Sequence, residues 1–148
     1  MKRFLHIKAV FAFVIFATAG CSSLSVPSLE SPVCTEAREF ARSFYSTHFD
    51  SEMKPTAESI ESKSGSLTGN FAEKLRNQSL TAKDPFTLTE NYPRAFKLGG
   101  CEALKEGSVS LEVQLLWRDN DVSRQESINA IMLKENNSWL IDGIVRTK

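Results

Sequence analysis

The chain has 148 residues, with 18 basic and 18 acidic side chains, three cysteines and a hydrophobic fraction of 41%. Without the basic residues of its first 20 positions it carries 15 positive against 18 negative charges, a net of −3. A weakly acidic chain of this kind argues against a nucleic-acid binder and against a polybasic membrane patch.

The front end reads as an export signal. Lys2, Arg3 and Lys8 form a basic start, and the uncharged run Ala9–Ala17 follows. That run is too short to cross a bilayer, which takes roughly 20 apolar residues. Thr18-Ala19-Gly20-Cys21 closes the segment with small residues before a cysteine, the signal-peptide pattern in the form of a bacterial lipobox. Thr18 is a departure, since Leu is usual there. The expectation is removal of residues 1–20 and lipidation of Cys21. Two or three acyl chains on one residue anchor a protein stably, where a single chain does not. Ser22 is not Asp, so in a Gram-negative host the expected address is the outer membrane, facing the periplasm.

Residues 21–32 hold repeated Ser with Pro27 and Pro32. They read as a tether with an r.m.s. reach of roughly 20 Å. The remainder, 33–148, is long enough for one domain with its own core. With Cys21 lipidated, Cys34 and Cys101 are left, and two cysteines in an exported domain allow a single bridge. No further Cys or nearby His completes a tetrahedral metal set, so no metal is expected.

Within the domain the period is first helical. Ala37, Phe40, Ala41, Phe44, Tyr45 and His48 form one apolar stripe of a helix from Pro32 or Thr35 to His48, with Cys34 on the same stripe and Glu36 and Glu39 near its positive end. A short helix over Thr56–Ser62 and a clearer one over Gly69–Ser79, capped by Thr68, come next. Asp84-Pro85-Phe86 is a turn that sends Phe86 into the core. Then the period becomes two. Strands are expected at Arg94–Leu98, ended by Gly99-Gly100, at Val109–Trp117, at Gln125–Lys134 and at Trp139–Val145. Turns fall at Asp119-Asn120-Asp121 and Glu135-Asn136-Asn137. The predicted class is α+β, with N-terminal helices on a curved antiparallel sheet of about four strands.

This order of elements, with Cys34 before the first helix, Phe44-Tyr45 within it, Asp84-Pro85-Phe86 and the terminal Trp139-Leu140-Ile141-Asp142, resembles the nuclear-transport-factor-2-like (cystatin-like cone) superfamily. With the lipobox added, it resembles more closely the YbjP-type enterobacterial lipoproteins, a domain family of unknown function. The resemblance implies a fold and an address, and it brings no catalytic residue.

Chemistry-bearing motifs are sparse. His48 is the single histidine after the leader. Gly65-Ser66-Leu67-Thr68-Gly69 lacks the spacing of a nucleophile elbow. Asp119-Asn120-Asp121 begins like a calcium loop, but Arg124 and Ala130 stand where Gly and Glu are required. No cofactor is expected. Cone-shaped folds of the superfamily can hold a pocket between helices and sheet, and Tyr45, His48, Trp117 and Asp142 are its candidate lining. The function expected is non-catalytic: a binding or accessory module for another cell-envelope protein, held to the membrane by its N-terminal lipid. Two alternatives are a small-molecule or weakly catalytic pocket domain, and an immunity or inhibitor lipoprotein acting through the Ser51–Gly65 or Asp119–Ser123 loop.

Overall fold

The computed structural model describes residues 30–147, apart from 52, 79–81, 106, 120 and 121. Cys21, the leader and the tether up to residue 29 lie outside the described residues, as does the tip of the Asp119–Asp121 turn. The chain is α+β. Helix α1 (Pro32–Asp50) is followed by α2 (Ala57–Glu61), a 3₁₀ turn at Ser64–Ser66 and α3 (Gly69–Asn77). Four strands then form one antiparallel sheet in sequence order: β1 (Ala95–Lys105), β2 (Ser108–Asp119), β3 (Val122–Glu135) and β4 (Ser138–Arg146). Among the described residues no helix is long and apolar enough to cross a membrane.

Helix α1 starts where its chemistry dictates. The Ser31 hydroxyl accepts from the Cys34 N–H (3.4 Å), and Pro32 occupies the first turn, where no amide partner is needed. Its buried stripe is Cys34, Ala37, Ala41, Phe44, Tyr45 and His48. Ala37 and Ala41 are fully buried, and their small side chains let the helix axis approach β1 and β2 closely. Glu36 does not serve the helix dipole as expected, because the first turn holds no acid. It reaches across to β3 and β4, accepting from Lys134 Nζ (2.5 Å) and Trp139 Nε1 (3.4 Å).

The sheet's inner face alternates as a half-buried strand should. Val109, Leu111, Val113, Leu115 and Trp117 of β2 point inward, facing Ile128, Ala130 and Met132 of β3 and Ile141 of β4. Asn136 (φ 47°) and Asn137 (φ 65°) make the β3–β4 turn. Asn tolerates positive φ at both central positions of such a hairpin.

One strand boundary differs from expectation. Gly99-Gly100 does not end β1; the strand continues to Lys105. A register shift lies between Leu98 and Cys101, so the glycines form an irregularity within the strand. The Glu112 carboxylate lies over this bulge, in the space that a Cβ on Gly99 would need. Its oxygens accept first from the Ser127 hydroxyl (2.7 Å) and then from the Gly100 N–H (3.3 Å), which lowers the Glu112 pKa. The bulge puts Cys101 on the inner face, where it bonds Cys34 across a Cα–Cα distance of 5.9 Å. The first turn of α1 is thereby fastened to the edge strand.

Candidate functional site

The four residues expected to line one pocket fall in three places. Tyr45 and His48, three apart on α1, are both buried against the 84–89 loop. Trp117 lies near the far end of β2 and lines an open cleft. Asp142 is exposed at a register shift in β4, where the Thr68 hydroxyl donates to its Oδ1 (2.7 Å) and the Thr68 N–H donates to the Ile141 carbonyl (2.9 Å). Asp142 faces outward, as alternation from the inward Trp139 and Ile141 implies, so it does not join an inner pocket. Asp142 fastens the cap of α3 to β4.

The space between helix and sheet is filled. Phe86 is 1% exposed and meets Phe44 (5.3 Å) and His48 (5.1 Å) edge-on. The Tyr45 hydroxyl donates to the Phe86 carbonyl (3.2 Å). Asp84, also 1% exposed, is the polar centre of this region. Its Oδ2 lies 2.8 Å from His48 Nε2 and accepts from the Thr87 hydroxyl (2.6 Å). Its Oδ1 is within 3.4 Å of the Phe86 N–H. Since a carboxylate only accepts, Nε2 carries the proton toward it. His48 Nδ1 is buried and meets no partner among the described residues.

A histidine oriented by a carboxylate is half of a nucleophilic triad. Here the pair is sealed behind Phe44, Phe49 and Phe86, and the hydroxyl beside it belongs to Thr87, which is itself fully buried and bonded to Asp84 and Thr89. The arrangement holds a loop. Asp84 and Thr89 bridge each other, and Leu88 between them takes φ 58°, an uncommon backbone for a branched residue. In the sequence Asp84 reads only as part of a turn. The Thr87-Leu88-Thr89 hydroxyl pattern beside it was the available signal.

Burial, and secondly the Asp84 charge, push the Tyr45 phenol above its ordinary pKa. The folded state therefore holds this phenol neutral, and its contribution to stability is complete below about pH 10 and lost as the pH rises beyond it. Tyr45→Phe removes one buried hydrogen bond and is expected to cost about 1 kcal/mol at neutral pH. It should also flatten the alkaline fall in the urea midpoint. An alkaline fall of equal slope in both proteins contradicts this assignment.

The open concavities lie elsewhere. A cleft of about 500 Å³ is lined by Phe49, Met53, Tyr92, Pro93, Arg94 and Trp117, with Glu90 and Asn91. The Trp117 indole donates to the Asn91 carbonyl (2.7 Å), and the Arg124 guanidinium stacks 4.7 Å from the indole ring. A second hollow of about 250 Å³ shares Glu90 and Asn91 and adds Lys83, Leu88, Arg124, Glu126 and Arg146. An apolar cleft of about 440 Å³ separates α2 from α3, between Ile60 and Leu75. Glu30, Cys34 and Cys101 have ligand-like spacing, but both sulfurs are consumed in the disulfide.

No protein-family model and no curated protein matches this chain. A solved structure shares its fold. A chain of the type VI native effector-immunity complex Tae3-Tai3 from Ralstonia pickettii superposes with a TM-score of 0.56 at 18% identity. The match covers 75% of this chain and 94% of that one. At this identity the likeness concerns the fold.

Proposed function

We propose that this chain is a lipid-anchored protein of the bacterial envelope that works by holding another protein, and not by turnover. The observation that carries the reading is the placement of its polar groups. The titratable side chains best suited to acid–base work, Tyr45, His48 and Asp84, are buried in mutual contacts that brace a loop. The concave, open surface is instead aromatic and arginine-rimmed, the composition that recurs where proteins dock. The fold's likeness to a chain of an effector–immunity complex supports the immunity or inhibitor form of this reading over a passive scaffold. The anchor at Cys21, the periplasm-facing address and kinship with the YbjP-type lipoproteins belong to the same proposal and rest on the lipobox and the motifs quoted above.

The test is affinity capture of the full-length protein, crosslinked in its native envelope, beside a Cys21→Ala form. The expected result is one dominant envelope or imported protein, recovered with the wild type and depleted when the anchor is lost. Recovery of nothing above background from the anchored protein overturns the reading.

A further inference from the structure

Two hollows lie side by side, with Glu90 and Asn91 lining both, near the end of α1 and the turn end of β2 and β3. The wider part sets the aromatic side chains of Phe49, Tyr92 and Trp117, with Met53, among the polar Glu90, Asn91 and Arg94. The narrower part is charged. Across both, Lys83, Arg94, Arg124 and Arg146 stand against Glu90 and Glu126, an excess of two positive charges among the described lining. The mature chain as a whole is acidic, so this excess is a local feature.

Two of the cations, Arg124 and Arg146, are also held in place. Arg124 is fixed between the Trp117 ring and Glu126, to which its Nε donates at 3.0 Å. Arg146 approaches the other Glu126 oxygen (3.9 Å) and donates to the Leu88 carbonyl (3.1 Å). Leu88 is the residue in the left-handed backbone region, braced there by the Asp84 loop. Uncommon backbone conformations of this kind cost free energy and gather at ligand clamps. A buried polar knot therefore supports a shaped, positively charged wall.

We propose that this groove seats an extended acidic segment of the protein partner, with one aromatic or aliphatic side chain in the wider cleft beside Trp117 and Tyr92, and carboxylates on Arg94 and Arg146. The inference rests on the protein-binding reading and adds the chemistry of the partner. Charge complementarity selects this groove over the α2–α3 cleft, whose rim holds Glu58 and Glu61 with Arg76. An aromatic anchor supplies most of the affinity in such a groove, and the flanking charges supply selection and association rate.

A phage-displayed library of random peptides, panned against the purified protein, tests this. Selected peptides should place Asp or Glu beside an aromatic or aliphatic residue. Their binding should weaken roughly tenfold or more in an Arg94→Glu/Arg146→Glu double variant, weaken with added salt, and stay unchanged in Glu58→Lys. Arg94 and Arg146 are exposed, and a thermal melt confirms that the double variant remains folded. Selection of no peptide, selection without acidic bias, or affinity insensitive to the charge reversal overturns the proposal. Displacement of the peptide by free glutarate at similar concentration also overturns it, and assigns the groove to a small carboxylate. A captured envelope partner whose binding ignores the charge reversal sinks the groove alone. Failure to capture any partner sinks the protein-binding reading itself.

Discussion

Asp84→Ala is expected to lower the unfolding free energy by about 3–5 kcal/mol, because it leaves several buried hydrogen-bonding groups unpaired. The truncation strands several groups at once. His48 Nε2 and the Thr87 hydroxyl both lose their acceptor, and the Phe86 amide loses its long contact. Each buried group left unpaired costs about 1–3 kcal/mol. Lys63 is affected too. Partial burial lowers its pKa while the Asp84 charge raises it, so removing Asp84 leaves that ammonium less supported. Asp84→Asn keeps one acceptor and should cost less. In a double-mutant cycle with His48→Leu, the two losses should fall short of additive, because replacing both members of a buried pair by apolar groups avoids the orphan. Urea unfolding at neutral pH reads all four proteins. A cost below about 1 kcal/mol for Asp84→Ala contradicts the role given to this loop.

The second large effect is that of the disulfide. Cys34 and Cys101 are 67 positions apart, and closing a loop of that length removes enough unfolded-state entropy to stabilise the fold by roughly 4 kcal/mol. A Cys34→Ser/Cys101→Ser variant should lose about that amount, with α1 losing protection first. The bond is a direct link between the first turn of α1 and the sheet edge. Hydrogen exchange at neutral pH locates the loss: amides of the first α1 turns should exchange faster in the variant than those of β2 and β3. Uniform loss of protection across the molecule contradicts that local role.

Much of the architecture is legible in the residues because period and punctuation agree. The α1 stripe, the Thr68 cap, the four strands and the Asn136-Asn137 turn each follow from local chemistry, and apart from the far end of β1 the structure places them within a few residues. Phe86 enters the core as Asp84-Pro85 implies. The irregularities are where reading fails. Gly99-Gly100 looks like a stop, but it is a bulge covered by the carboxylate of Glu112, the neighbour of Leu111, which is the strand partner of Cys101. Such a contact is set by strand register, which the local pattern around the glycines does not encode. A register shift at Asp142 likewise changes the phase of β4 beyond it, so that Ile144 packs against the core.

The candidate site was less legible. Trp117 stands out in any reading, yet its partners Arg124, Asn91 and Tyr92 come from separate segments brought together by the sheet and the 84–94 loop. His48 also stands out, but its partner Asp84 lies 36 positions away in what reads as a turn. Residues chosen for their chemistry were found, and the geometry that gathers them into a groove or a knot was not.

Stoichiometric association, the mode of action proposed for this protein, can be measured directly. The most direct measurement is calorimetric titration of the captured partner into the purified protein. A saturable isotherm at one partner per chain, with no consumption of either component, is the result expected here. Absence of saturation, or a heat that continues with turnover of an added substrate after all sites are filled, contradicts it.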